Sequence, residues 1–357
     1  MDNPSKHPPN SLVGCLRRLY HPIGFSRGYN FALWFFLGGG FMGFSFSRLM
    51  YLDFQGILCP TGPPKGHEGA VPGECYYFQH ATGRAGIMMH LIGILPAAIL
   101  VVFQFVPAIR HRLLIFHRIN GYIVILLSIV SIVGVFMIAK PTFGGTLDMQ
   151  AATGTASIIF LVCQGLAYYN IKKLQIEQHR AWMLRGWIIV GFIITMRVIA
   201  VIMAKITSSS DPYYAVGSCA VVDYIYFHNQ TTVEALYPNC ASFYNGVAPD
   251  QRILIKGDVT APRPDQIASG LNVTFGASAW LALAIHCVAV ELYLRLTPAE
   301  AERLRRVSYQ RQLEAGMKNP GNAGLTVQRL GDAEPWAYAD YSTAVCRNTS
   351  PAEMDRH

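Results

Sequence analysis

The chain has 357 residues and a formal net charge of +8, and it is 52% hydrophobic but only 14% charged. Soluble domains carry about 25% charged residues, so this composition excludes an ordinary soluble domain and indicates a membrane protein. The basic residues lie between apolar runs and form neither a patch nor a stripe, which argues against a nucleic acid as partner. We therefore expect the lipid bilayer to be the main surroundings of the chain.

Six apolar segments reach or approach the roughly 17 to 25 residues that a helix needs to cross a bilayer. They cover residues 31–46, 87–106, 121–139, 151–169, 186–204 and 275–294. The first is the weakest, because three consecutive glycines interrupt it and Arg48 follows closely. The pattern predicts an all-α fold, a polytopic bundle of six transmembrane helices that occupies residues 31–296.

Lysine and arginine predict the orientation of this bundle, because they favour the cytosolic side of a membrane. Counted over alternate connections, one side carries 20 of the 29 basic residues and the other carries eight. Both termini are therefore expected in the cytosol, and the loops 51–85 and 205–269 in the lumen. In this scheme residues 1–30 form a cytosolic leader, 297–318 a cytosolic amphipathic helix and 319–357 a loose polar tail.

Four cysteines fall in the two predicted luminal loops, an oxidising location in which disulfides persist. They are Cys59 and Cys75 in the first loop, and Cys219 and Cys240 in the second. An even number is consistent with two disulfides, although four cysteines allow three connectivities and could also remain unpaired. Asn229 begins an NQT glycosylation sequon in the second loop, which predicts a glycoprotein.

The ionisable side chains His90, Arg197, His286 and Glu291 lie inside predicted spans, where a charge is costly and calls for a partner or a function. Arg197 is 11 residues into the fifth segment, roughly 16 Å deep at the rise of a helix. It is a candidate for binding an anionic or carbonyl group of a substrate, or else a structural link between helices. His90, in the second segment, is a candidate catalytic residue or else a buried, hydrogen-bonded histidine.

A His-Arg pair stands at the start of two of the apolar segments, in FHRINGY and in QIEQHRAWMLRGW. His117 and His179 are predicted to be nearly level at the cytosolic mouths of the third and fifth segments. Level histidines on neighbouring helices are what a six-coordinate haem needs, and Arg118 and Arg180 could then pair with its propionates. The same histidines are candidates for acid-base or metal-binding chemistry, and the whole pair is also typical of an interfacial anchor.

Several short motifs follow one another between residues 25 and 205. They are GYNFALWF, PGECYYF, HLIGILPA, QFVPAIRH, FHRINGY, FGG, IEQHRAWMLRGW and IITMRVI. In this order the chain resembles a family of multi-pass membrane proteins of filamentous fungi, catalogued as a domain of unknown function. Some members lie in secondary-metabolite gene clusters, which implies a role in making or moving a lipophilic product. A looser likeness is to diheme membrane cytochromes of the b type, from which the chain departs because it lacks a second level pair of histidines.

The leading hypothesis is an enzyme or accessory factor that acts on a lipophilic small molecule in fungal secondary-metabolite biosynthesis, in the endoplasmic reticulum or another endomembrane. His90 and Arg197 would face an intramembrane cavity, while His117 and His179 would act from its cytosolic mouth. One alternative is an oxidoreductase of the b type, which transfers electrons through a haem held by the latter two histidines. Another is a transporter, although the sequence lacks the paired broken helices expected of one.

Overall fold

The computed structural model describes residues 11–60, 69–210, 213–334 and 336–338, so parts of the predicted leader, first loop and tail lie outside the described residues. The helices are α1 (Ser11–Tyr20), α2 (Gly28–Phe46), α3 (Glu74–Phe78), α4 (Ala81–Gln104), α5 (Pro107–Arg112), α6 (Leu114–Ile138), α7 (Leu147–Lys172), α8 (Ile176–Val190), α9 (Phe192–Ser209), α10 (Cys219–Ile225), α11 (Gln230–Leu236), α12 (Ala241–Tyr244), α13 (Pro264–Leu296), α14 (Pro298–Glu314) and α15 (Val327–Leu330). The strands are β1 (Tyr214–Ser218) and β2 (Arg252–Lys256).

Five helical runs of the described residues are long and apolar enough to cross a membrane: α4, α6, α7, the run Ile176–Ser209 formed by α8 and α9, and α13. The last five predicted segments fall on these runs, so the expectation of a multi-pass, mostly helical membrane protein is confirmed. The first predicted segment lies on α2, which is not among the five. A sixth span therefore stays a prediction.

The described residues fall into two compact units. The first is drawn from residues 1–157 and 191–285, and the second from residues 158–190 and 286–357. Because α7 and α13 each begin in the first unit and end in the second, both units are built from apolar helices. α4, α6 and α9 belong to the first unit, whereas α8 and α14 belong to the second.

Small residues bring α4 and α6 together in the first unit. Gly86 and Gly93 of α4 lie against Gly134 and Ser131 of α6, where added side chains would meet backbone atoms. A Cβ at Gly134 would lie 2.6 Å from the backbone nitrogen of His90, so only glycine fits that position. Close approach through small residues is a common means of packing helices in a membrane, where burial from water contributes little.

The predicted second luminal loop contains a two-stranded sheet, which corrects the expectation of an all-α fold. β1 and β2 pair antiparallel, with Tyr214 opposite Lys256. In β2 the side chains of Ile253 and Ile255 are buried and Leu254 between them is exposed. This alternation is the period of a strand with one covered face.

Each of the two loops that were predicted to be luminal is closed by a disulfide, so the predicted disulfides are confirmed. Cys59 bonds to Cys75 in the first loop, and Cys219 bonds to Cys240 in the second, so each bond stays within its own loop. The second bond is packed in a small core that includes Val222. The cysteine count alone had left three connectivities open, and the structure selects this one.

Buried polar side chains organise the second unit at the turn between α7 and α8. Gln175 is fully buried, and its Nε2 donates to the Gly321 carbonyl at 2.9 Å and to Glu177 Oε1 at 2.5 Å. The other Glu177 oxygen accepts a 2.7 Å hydrogen bond from Ser308 Oγ on α14. The IEQHR motif therefore begins with residues that bind the C-terminal part of the chain.

The start of the tail that was predicted to be loose is bound to the same turn. The Gly324 N–H donates to Gln175 Oε1, and the Leu325 N–H donates to Asn170 Oδ1, both at 2.9 Å. The side-chain amide oxygens take the place of water as acceptors for these backbone N–H groups, so this part of the tail has a defined conformation. Its remainder from residue 339 lies outside the described residues.

Candidate functional site

His90 lies where α4 crosses α6. Its Nδ1 is 2.9 Å from Ser131 Oγ, a hydrogen bond whose direction depends on the tautomer of the ring. Gly86 and Gly93, one turn before and one turn after His90, allow α6 to come this close. A histidine that is held through Nδ1 keeps Nε2 as its other donor or acceptor, so this arrangement orients the ring as an acid-base group requires.

Arg197 lies on α9, also in the first unit. Its guanidinium carbon is 5.4 Å from the centroid of the Phe44 ring on α2, which is within the range of a cation–π contact. Arg48 contacts the same ring at 4.3 Å. Arg197 is also close enough to His90 for an electrostatic interaction. The two candidate residues of the predicted intramembrane site therefore belong to the same compact unit.

His117 and Arg118 begin the apolar part of α6. The His117 side chain is half-buried, and its backbone carbonyl accepts a 3.0 Å hydrogen bond from Gln104 Nε2 at the end of α4. Arg118 is exposed. The hydrogen bond from Gln104 holds this turn of α6 against the end of α4. It is consistent with both hypotheses, an interfacial anchor and a site at the predicted cytosolic end of the helix.

His179 and Arg180 lie on α8 in the second unit. His179 Nδ1 is 2.9 Å from the Ala167 carbonyl of α7; since a carbonyl only accepts, Nδ1 carries the proton. Arg180 Nη2 donates to the Tyr293 hydroxyl at 3.1 Å. His117 belongs to the first unit and His179 to the second, so the structure does not gather the two predicted haem ligands into one unit. Among the described residues, no group of three or more His, Cys, Asp or Glu side chains is arranged to hold a metal ion.

The sequence did not reveal a buried carboxyl group at the start of α3 in the first unit. Glu74 is 5% exposed, and its Oε1 accepts a 2.7 Å hydrogen bond from the Phe143 N–H. Its Oε2 has no hydrogen-bond partner among the described residues. The side chain borders a cavity of about 70 Å³ together with Arg252 and Asn272, and burial raises the pKa of Glu74 to about 7. A glutamate in the PGECYYF motif carries no sign of burial, because the covering residues come from distant parts of the chain.

Comparison with known proteins finds a match for the central helices of the chain. Residues 87–228 match the family model of predicted membrane proteins named DUF2306. The DUF2306 match contains His90, His117, His179 and Arg197, and it confirms the predicted resemblance to multi-pass membrane proteins of undefined function. Ava biosynthesis cluster protein G of Aspergillus versicolor is 21% identical to this chain over 344 residues, which cover 83% of the chain and 97% of that protein. No solved structure matches the chain.

Proposed function

We propose that the protein is an enzyme or accessory factor that acts on a lipophilic small molecule in secondary-metabolite biosynthesis. The observation that supports this most is the similarity to the biosynthesis cluster protein of Aspergillus versicolor, because it extends over 97% of that relative. Membrane-spanning helices suit a substrate that partitions into lipid, since such a molecule reaches a site between helices directly from the bilayer.

The proposed topology has six spans with both termini in the cytosol of an endomembrane such as the endoplasmic reticulum. The distribution of basic residues and the two disulfide-bonded loops agree on which side faces the lumen. Asn229 would then be exposed to the glycosylation machinery. Loss of a mobility shift after Asn229→Gln, and protection of luminal loops from added protease in sealed microsomes, test this arrangement.

The proposed intramembrane site uses His90 as the acid-base group and Arg197 as the cation that binds a carbonyl or anionic group. The Arg197 guanidinium lies over the Phe44 ring and is close enough to His90 for an electrostatic interaction. A hydrogen bond with Ser131 orients the His90 ring. An arginine in hydrocarbon binds oxygen acceptors strongly because little water competes for it. His117 and His179 would act from the cytosolic mouth.

Metabolite profiles test this proposal. Cells that lack the protein are compared with cells that carry the wild type, His90→Ala, Arg197→Gln or the control Arg112→Gln, which alters an exposed arginine at the end of α5. We expect one lipophilic product to disappear in the deletion strain and in both site variants, but not in the control. Identical profiles with and without the protein would exclude the biosynthetic role.

A second candidate function is electron transfer by a haem of the b type. The observation that favours it is the hydrogen bond from His179 Nδ1 to the Ala167 carbonyl, because metal-binding histidines commonly use Nε2 and donate Nδ1–H to a carbonyl. In this candidate His179 would be an axial ligand, and Arg180 would pair with a propionate. Sharp bands in the reduced-minus-oxidised spectrum that vanish in His179→Ala are expected if this candidate is correct; a spectrum without such bands excludes it.

A further inference from the structure

The second unit contains an open groove that none of the predicted site residues lines. Its volume is about 740 Å³, which is within the range of pockets that bind small organic molecules. Trp182 and Arg185 line it from α8, Cys163 lines it from α7, and Cys287 and Glu291 line it from α13. The rest of the wall is mostly apolar, so the groove suits a largely apolar occupant.

The charged groups of this groove neutralise each other. Arg185 Nε donates to Glu291 Oε1 at 2.5 Å, and Arg185 Nη2 donates to Glu291 Oε2 at 3.2 Å. The guanidinium carbon also lies 4.6 Å from the centroid of the Trp182 ring. The N–H groups of Arg185 bond to Glu291, and the planar face of its guanidinium contacts the Trp182 ring. The groove therefore offers no free charge to an ionic ligand and favours an uncharged one.

Two polar side chains, one that lines this groove and one that adjoins a lining residue in the sequence, have atoms without hydrogen-bond partners among the described residues. Trp182 Nε1 is buried and has no hydrogen-bond partner among the described residues, and the same holds for both amide atoms of Gln164. Gln164 is only 7% exposed and directly follows the groove-lining Cys163 on α7. A buried donor without an acceptor is costly, so these atoms are expected to be satisfied by something outside the described residues.

Contacts between α7 and α8 bring these two side chains to the same level of the helix pair. On one side of them His179 bonds to the Ala167 carbonyl. On the other side, a Cβ at Gly186 would lie 3.3 Å from Cys163 Cβ. Gln164 and Trp182 both fall between these two contacts along their helices.

We propose that this groove binds an uncharged, largely apolar small molecule with a carbonyl oxygen, which accepts a hydrogen bond from Trp182 Nε1. The proposal rests on the proposed function only for the origin of the ligand, a lipophilic metabolite rather than a bilayer lipid.

Photolabelling with benzophenone tests the proposal, because this apolar ketone crosslinks to C–H groups near its own carbonyl. The full-length protein in detergent micelles is irradiated with increasing probe, and labelled peptides are mapped by mass spectrometry. We expect saturable labelling concentrated on residues 159–163, 178–189, 287–291 and 325–331. Diphenylmethane has a similar shape but lacks the carbonyl. We expect it to suppress labelling by benzophenone only weakly, with an affinity at least tenfold lower than that of benzophenone itself.

Matched variants assign the labelling to the groove. Trp182→Phe keeps an aromatic ring but removes the donor, and it is expected to weaken binding roughly threefold to tenfold. Trp187→Phe, which alters the neighbouring tryptophan packed against Phe160, is the control and should bind as the wild type does. Cys287→Trp fills the groove and should abolish saturable labelling. Thermal unfolding verifies that each variant is folded, and Cys287→Trp alone tests the groove if Trp182→Phe does not fold.

Three results would overturn the proposal. They are labelling that does not saturate, labelling spread evenly over all apolar helices, and displacement by phosphatidylcholine as effective as that by the ketone, which would identify a groove for bilayer lipid. Failure of the proposed function is distinguished by metabolite profiles. Saturable labelling with an unchanged profile in the deletion strain rejects the biosynthetic role alone, whereas a changed profile without saturable labelling rejects the groove alone.

Discussion

The backbone N–H of Phe143 donates a 2.7 Å hydrogen bond to Glu74 Oε1, which joins two motifs 69 residues apart. Phe143 has a left-handed φ of 52°, and its ring stacks on Phe275 with centroids 3.9 Å apart. Gly144 and Gly145 follow with positive φ values, which glycine adopts without steric cost. A buried carboxyl group therefore holds the tight turn between α6 and α7 in place.

The stability of the protein is expected to depend on the protonation of Glu74. Burial raises the pKa of this carboxyl group from its ordinary value of 4.5 to about 7, so the folded protein binds the proton more tightly than the unfolded chain does. This contribution is fully present below pH 4.5 and is lost as the pH rises through about 7. The whole change amounts to about 3 kcal/mol of the free energy of unfolding.

Glu74→Gln removes the titration but keeps an oxygen acceptor for the Phe143 N–H. We expect the variant to have a flatter dependence of melting temperature on pH and a higher melting temperature than the wild type at alkaline pH. Thermal unfolding in detergent at several pH values measures both. Glu234→Gln, at a less buried carboxylate on α11, is the control. Equal pH profiles for wild type and Glu74→Gln would show that Glu74 does not govern this dependence.

Gly134→Ala is expected to force α4 and α6 apart. The new methyl group would lie 2.6 Å from the backbone nitrogen of His90, and neither helix backbone can move locally to relieve the clash. We expect a loss of about 1–3 kcal/mol in the free energy of unfolding, together with loss of the bond between His90 and Ser131.

Gly154→Ala on α7 is the matched control, because nothing lies within 4 Å of its new methyl group. An alanine in an open helical position is expected to be neutral or to stabilise by about 0.5–1 kcal/mol. Thermal unfolding compares the two variants. Equal effects on the melting temperature would contradict the close crossing at Gly134.

The long apolar helices were predictable because a bilayer span imposes a length and composition that one segment displays by itself. The two-stranded sheet was missed because Ile253 and Ile255 alternate with exposed residues over only five positions, too few to stand out from a loop. The burial of Glu74 and Gln175 depends on residues far away in the chain, which a local pattern does not contain. The level of His117 and His179 was inferred by counting residues along separate helices, and such counting does not say to which compact unit each histidine belongs.

Loss of the disulfide between Cys219 and Cys240 is expected to destabilise the β1–β2 region. The bond between Cys219 and Cys240 closes a loop with a sequence separation of 21, and removing such a crosslink typically costs about 2–4 kcal/mol. Cys219→Ser with Cys240→Ser should lower the melting temperature and increase cleavage of this loop by protease. Cys163→Ser, at a cysteine outside the disulfides, is the control and should leave cleavage of the loop unchanged. Unaltered cleavage in the double variant would contradict this structural role.

Gln175 uses the full hydrogen-bonding capacity of its amide to hold the C-terminal segment. Its Oε1 accepts from Gln312 Nε2 and from the Gly324 N–H, both at 2.9 Å, while its Nε2 donates to the Gly321 carbonyl and to Glu177. An amide has two donors and two acceptor positions, so none is left over. Any substitution at this position therefore leaves several buried groups without partners.

Gln175→Glu distinguishes the effect of these hydrogen bonds from the effect of side-chain packing. It keeps the size of the side chain but replaces both N–H donors with an oxygen. That oxygen would face the Gly321 carbonyl and the Glu177 carboxylate, so we expect repulsion and release of residues 321–325 from α7 and α8. Amide hydrogen exchange at Gly324 should accelerate at least tenfold in Gln175→Glu and in Gln175→Ala, since each lost partner is worth about 1–3 kcal/mol. Gln310→Ala, at a more exposed glutamine of α14, is the control and should exchange as the wild type does. Slow exchange at Gly324 in Gln175→Glu would mean that the segment is held by its apolar contacts instead of by this amide.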